Sequence, residues 1–307
     1  MKNTSNKKRN GLKIAVAIIV LLTILFVYFF LYEPPYSGSI KIPEKTLIIA
    51  HRGFGDHAPD NSLAGAKLAL AKGLDGIDVD GQMTSDGQLI IFHDLTLERL
   101  TNATGRVRDT TLDEMLRLDV GKKFNESFKG AYVATFENFL TAVNGSAIYM
   151  VELKVATTSD TGIEKKAVEI IKKYNATDWV YLSSFNPIVL YRLKKIDPQI
   201  HTVLIFMDSN WNEKLLVEVE EGVRADLPWF LRQEPIRRAI RKVIKPDLLS
   251  VNYKVDETII DQLIKKGYPL FLWAPNNESD INYELNKKPY GIITDKPLLG
   301  KELRDSR

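Results

Sequence analysis

The chain has 307 residues, 45% of them hydrophobic, and a formal charge of +3. That is enough apolar material for one large core or two modest ones; near-balanced charge, with no long basic stripe in the body, argues against nucleic acid as a partner. The absence of cysteine excludes disulfides, thiolate catalysis and Cys-based zinc sites.

The first segment, residues 1–13, is basic through Lys7, Lys8, Arg9 and Lys13. Residues 14–32 carry no charge. At about 1.5 Å per residue this run just spans a hydrocarbon core of about 30 Å. The basic cluster predicts a cytoplasmic N-terminus, a single pass through the cell membrane and an extracytoplasmic body. A cleaved signal peptide is the alternative. The apolar run exceeds the usual core of about 7–15 residues, and no small-x-small cleavage pattern follows, so an anchor is expected. Residues 33–45, opening Glu33-Pro34-Pro35-Tyr36-Ser37-Gly38, read as a linker, stiff and then flexible.

From residue 46 to 307, short apolar runs alternate with amphipathic ones. Strands are predicted at 47–50, 76–80, 148–153, 179–183, 201–206, 248–252, 269–273 and 291–294. Helical periodicity lies at 61–72, 161–174, 187–195 and 256–266. Alternating strands and helices imply a parallel sheet, and eight strands in about 250 residues match a closed (β/α)8 TIM barrel. A doubly wound open sheet is the alternative; no Gly-x-Gly-x-x-Gly follows the first strand. Leu89–Phe92 is an apparent ninth strand. The gap from Asp80 is too short for a helical crossover, and Ser85-Asp86-Gly87 signals a hairpin. The second barrel strand should overshoot, turn and bring His93 back beside Asp80. Residues 95–147 read as an insertion over the C-terminal face, with helical stretches at 110–118 and 135–143. Arg237, Arg238, Arg241 and Lys242 read as a solvated helix face, with acidic lipid the alternative contact.

Asp78 and Asp80 are two apart on a strand, so they share a face. Outward they would be buried under helices; inward they repel and need a cation. Glu152, ending the next barrel strand, adds a third oxygen donor. Hard oxygen ligands without sulfur suit one divalent ion, Mg²⁺ or Ca²⁺. His51 and His93 end neighbouring strands beside this cluster. One imidazole can take a proton while the other donates one, as a phosphodiester requires. Arg52 and Lys154 can hold phosphate oxygens. His57 and His201 are read as structural.

In order and spacing, His51-Arg52-Gly53, Pro59-Asp60-Asn61-Ser62, Gly76-Ile77-Asp78-Val79-Asp80, Ser85-Asp86-Gly87, His93-Asp94, Val151-Glu152-Leu153-Lys154, Ser184-Phe185, Trp273 and Gly291 to Pro297 resemble the glycerophosphodiester phosphodiesterase family. The resemblance covers nearly all of 47–297. It implies a metal-dependent barrel hydrolase releasing glycerol 3-phosphate and an alcohol. It further implies His51 and His93 as acid and base, Asp78, Asp80 and Glu152 as metal ligands, Arg52 and Lys154 on the phosphate, and Trp273 lining the substrate pocket. Asp60 and Asn61 support His51 and Arg52. The chain departs from the family with Asp for Glu at Asp60 and Asp78, and with Ser62 for Thr. Each shorter carboxylate is drawn back by more than about 1 Å, which would loosen the metal or the Arg52 support. The alternatives left open are a lysophospholipase D-type or polyglycerol-phosphate phosphodiesterase, and a catalytically impaired binding barrel.

Overall fold

The structure, a computed structural model, describes residues 2–155, 157–207, 230 and 233–307, with side chains from residue 10. Helix α1 (Lys2–Phe26) continues through a π-helical turn, Val27–Leu31. Within it Asn10–Leu31 has a mean hydropathy of 3.1, and its residues are exposed apart from the half-buried Phe29 and Phe30 at its end. A helix apolar all round over this length is long enough to cross a bilayer.

The strands are β1 (Leu47–Ala50), β2 (Gly76–Met83), β3 (Leu89–Ile91), β4 (Ala134–Thr135), β5 (Ile148–Leu153), β6 (Val180–Ser184), β7 (His201–Phe206), β8 (Leu248–Asn252), β9 (Leu270–Trp273) and β10 (Gly291–Thr294). The body helices are α2 (Leu63–Ala71), α3 (Leu112–Met115), α4 (Phe136–Val143), α5 (Ile163–Lys173), α6 (Pro187–Ile196), α7 (Glu234–Ile244), α8 (Glu257–Lys265), α9 (Glu278–Asn286) and α10 (Pro297–Asp305). Strands β1, β2 and β5 to β10 pair in parallel. β1 pairs with both β2 and β10, which closes the ring. The TIM barrel expected from the strand count is the observed fold.

Pleating decides what faces inward. Ile77 and Val79 pack outward among the helices, so Asp78 and Asp80 point into the barrel. The interior is plugged by Ile49, Met150, Tyr181, Val203, Leu248, Phe271, Tyr290 and Ile293. Gly291 makes room for this plug, since a Cβ there would lie 2.6 Å from the Phe271 ring. The polar residues collect beyond the plug, at the strand C-terminal ends.

The hairpin forms as expected. β2 runs past Asp80, turns at Gly87 (φ 74°), and β3 returns antiparallel with Gly81 opposite Ile91. The insertion has its own small core, including Ile90, Phe92, Leu97, Met115 and Val133. Three expectations need correction. Residues 136–143 are not insertion: α4 buries Phe136, Phe139, Leu140 and Val143 and is the crossover helix leading to β5. The stretch 110–118 is helical only at α3, where a Thr111–Glu114 capping box starts a single turn. The basic face of α7 is not solvated: Arg237 and Arg241 are each 2% exposed, because their guanidiniums stack on the outward Phe206 ring.

Candidate active site

The site is assembled from strand ends. β1 ends at Ala50, and His51-Arg52-Gly53 turns sharply, with Arg52 held at φ 51°. The Asn61 N–H closes this turn on the Arg52 carbonyl at 2.7 Å. Asn61 is itself left-handed, at φ 56°, a conformation that Asn adopts at low cost. Its amide Nδ2 donates to Asp80 Oδ2 at 2.8 Å, and its Oδ1 accepts from the Asp80 N–H at 3.0 Å. Asn61 therefore ties the first βα turn to the second strand, and Ser62 caps α2 in its place.

Asp80 and Glu152 are register partners across β2 and β5, and Asp78 faces Met150 one step below. Lys154, two past Glu152 on the same inward face, puts its ammonium 3.2 Å from Asp80 Oδ1 and 3.7 Å from Glu152 Oε1. Among the described residues no group of three or more His, Asp and Glu side chains converges as a ready-made metal cage. The Lys154 ammonium lies between the Asp80 and Glu152 carboxylates.

The two aspartates are driven apart in acidity. Burial pushes the Asp78 carboxyl up to about 7; the His51 charge opposes the rise and Asp80 adds to it. Burial would raise Asp80 too, but Lys154, His93 and Arg52 outweigh it and hold this carboxyl well below the usual range. Two like charges so close in a low dielectric do not both ionise easily.

Each imidazole is held by a carboxylate. His51 Nδ1 lies 2.6 Å from Asp295 Oδ1, and His93 Nδ1 lies 2.6 Å from Asp94 Oδ1. Burial opposes the His51 charge, but the hydrogen bond and charge of Asp295 outweigh it and raise the imidazole above its ordinary value. Asp295 is correspondingly lowered to about 2. Asn276 and the backbone of Gly55 fix Asp295. Asn276 Nδ2 donates to its other oxygen at 2.5 Å, and a Cβ at Gly55 would fall 2.3 Å from the Asp295 carbonyl oxygen. The Coulombic reach of His51 extends to Asp78, and that of His93 to Asp80. Each ring thus lies within electrostatic range of the carboxylate pair.

Asp60 accepts from Arg52 Nη1 at 3.1 Å and from Arg99 at 3.1 Å. Arg99 also grips both oxygens of Asp94. An unbroken chain of ion pairs runs from Arg52 to His93. The shorter Asp60 still reaches Arg52. Trp273 stands at the end of β9, edge-on to Phe185 at 5.9 Å. Its indole Nε1, like Arg52 Nε, is buried without a hydrogen-bond partner among the described residues. His57 is exposed against Phe54, and His201 sits at the start of β7 against Tyr181, at the opposite end of the barrel. Sequence reasoning had assigned no role to Asp295, Asp94, Arg99 or Gln82. Asp295 alone carried a signal: barrel closure makes the end of β10 adjacent to that of β1.

Residues 51–299 match the model of the glycerophosphoryl diester phosphodiesterase family. A glycerophosphodiester phosphodiesterase of Caldanaerobacter subterraneus subsp. tengcongensis is 34% identical over 256 residues, 82% of this chain and 95% of that one. One of Bacillus subtilis is 26% identical over 275 residues, 85% of this chain and 87% of that one. Among solved structures, a phosphodiesterase of Oleispira antarctica in complex with the product sn-glycerol-3-phosphate matches with a TM-score of 0.69 at 23% identity, covering 85% of this chain and 97% of that one. With strand order, strand-end chemistry and these matches in agreement, the chain belongs to the glycerophosphoryl diester phosphodiesterase family.

Proposed function

We propose that the protein hydrolyses glycerophosphodiesters to glycerol 3-phosphate and an alcohol, with one divalent ion and two histidines. The observation that carries this reading is a pair of strand-end imidazoles, each gripped at Nδ1 by its own carboxylate and within electrostatic range of one inward carboxylate pair. With Nδ1 engaged, proton transfer falls to Nε2 on each ring. His51, raised by Asp295, is the acid for the leaving alkoxide; His93 is the base for the attacking water. Arg52 and Lys154 neutralise the phosphoryl oxygens, with the unpartnered Arg52 Nε as one donor. The unpartnered Trp273 indole and the Phe185 ring form a wall for the glycerol moiety.

Asp78, Asp80 and Glu152 would hold the ion. Three hard oxygen donors suit Mg²⁺ or Ca²⁺, and the rise of Asp78 to about 7 is that of a buried carboxylate short of positive charge. Bound there, a divalent ion supplies Lewis-acid charge for the phosphoryl oxygens. Residues 10–31 act as a single-pass anchor in the cell membrane, with the basic N-terminus cytoplasmic and the barrel outside.

The test is glycerol 3-phosphate release by the full chain, before and after chelation and with Mg²⁺ or Ca²⁺ restored. Release that falls on chelation and returns with the ion is expected. Substrate binding without turnover under every ion would make this an impaired binding barrel instead.

A further inference from the structure

The segment between the apolar helix and β1 is not a free linker. Glu33 is 3% exposed, and its carboxylate accepts from Arg238 Nε at 3.2 Å, from Arg241 Nη2, and from the Tyr268 hydroxyl at 2.9 Å. Arg241 also donates to Glu234 at 2.5 Å. Lys242 Nζ donates to the carbonyls of Tyr28 at 2.5 Å, Phe29 at 3.0 Å and Tyr32, and Arg238 Nη1 donates to the Phe30 carbonyl at 2.7 Å. These carbonyls end the membrane helix, where intrahelical donors run out and the dipole is negative. Beyond Glu33, the Tyr36 N–H donates to the Lys266 carbonyl at 2.7 Å and its hydroxyl to the Asp247 carbonyl at 2.9 Å.

Arg238 and Arg241 grip Glu33 from along α7, and the remaining contacts share one address. Lys242 lies in the last turn of α7 and Lys266 caps the end of α8. Asp247 and Tyr268 lie just before β8 and β9. All four belong to the end of the barrel where strands begin, whereas His51, Asp80, His93, Glu152 and Trp273 lie where strands finish. A free segment of 13 residues would allow the barrel to tip over a span of about 20 Å. A buried, multiply paired carboxylate removes that freedom; such pairs fix geometry more than they add stability.

We propose that Tyr28–Tyr36 is a bracket that seats the strand-N-terminal end of the barrel toward the bilayer and turns the catalytic mouth away. The site then takes water-borne glycerophosphodiesters, small or polymeric, and not a lysophospholipid lodged in the membrane that carries the anchor. This rests on the phosphodiesterase and anchor readings above. A six-residue strand alone separates the two ends by about 20 Å, so an embedded phosphate does not reach the carboxylates.

The chain has no cysteine, so single fluorophores can be placed cleanly on the full chain in vesicles. Gln199→Cys marks the exposed turn before β7, and Thr158→Cys the exposed loop after β5. With headgroup-quencher lipids, stronger quenching at position 199 is expected; equal or reversed quenching overturns the proposal. In the same vesicles, soluble glycerophosphocholine should be turned over about tenfold better than embedded lysophosphatidylcholine. A flexible insert of about ten residues between Tyr32 and Glu33 should raise only the embedded rate. Lysolipid hydrolysed as fast as the soluble diester by the unaltered chain overturns the proposal. Failure on the soluble diester, with the quenching order intact, strikes the phosphodiesterase reading alone. A chain stripped from vesicles by alkaline carbonate removes the anchor reading and this proposal with it.

Discussion

Asp78 and Asp80 share a strand, a face and a cluster, yet their carboxyls move in opposite directions: burial outweighs the nearby cations at Asp78, whereas Lys154, His93, Arg52 and the Asn61 amide outweigh it at Asp80. The difference has a consequence for stability. A carboxyl raised by folding favours the fold while protonated and penalises it above its unfolded value of about 4. For Asp78 the penalty grows until about pH 7. In chelator at pH 8, Asp78→Asn should therefore stabilise the protein by on the order of 1–4 kcal/mol while abolishing turnover. At pH 4 the gain should vanish. Chemical denaturation at both pH values measures this; an unchanged or lower midpoint at pH 8 would rule it out. Asp295 works in the other direction. It raises His51, so Asp295→Asn should lower His51, and an acid of lower pKa is lost at lower pH. The alkaline limb of the pH–rate profile should move down. Movement of the acidic limb instead would make His51 the base. The shared inward face of Asp78 and Asp80 was legible in the sequence because spacing by two fixes it. The partners Asp94 and Arg99 were not, since an ion pair across a loop leaves no periodicity.

At the level of elements, the overshooting β2–β3 hairpin decides where His93 stands. Gln82 Nε2 donates to the carbonyls of Phe92, His93 and Asp94, clamping the end of β3. Gln82→Leu should unclamp it. We expect kcat to fall about 10–100-fold with little change in KM, and stability to fall by about 1–3 kcal/mol. Steady-state kinetics and urea unfolding measure the two; a wild-type kcat would show that the clamp does not position His93. The hairpin could be read in advance because a short gap forbids a crossover helix. Helix α5 could be read from Ile163, Ala167, Ile170 and Ile171, all buried. Helix α7 was misread because its buried face consists of Arg237 and Arg241. Burial there is secured by ion pairs and an aromatic face, so apolar periodicity is absent.

On the scale of the whole molecule, the barrel follows from alternating elements and closes through β1 and β10. The seat of the N-terminal apolar helix does not follow from pattern. Glu33 finds Arg238 and Arg241 more than two hundred positions along the chain, and only the closed ring brings α7 and α8 beside residue 33. Order along the chain also hides the joint made by Asp295 and His51, which lie 244 positions apart. The central chemical claim is that two imidazoles act as one unit on a diester held at the acidic cluster. Its most direct measurement is the kcat of His51→Gln, His93→Gln and the double variant with saturating divalent ion. Each single change should lower kcat by about 10²–10⁴-fold, and the double variant should fall little further, since the rings serve one reaction. A single variant retaining a rate near that of the unaltered protein would contradict the account.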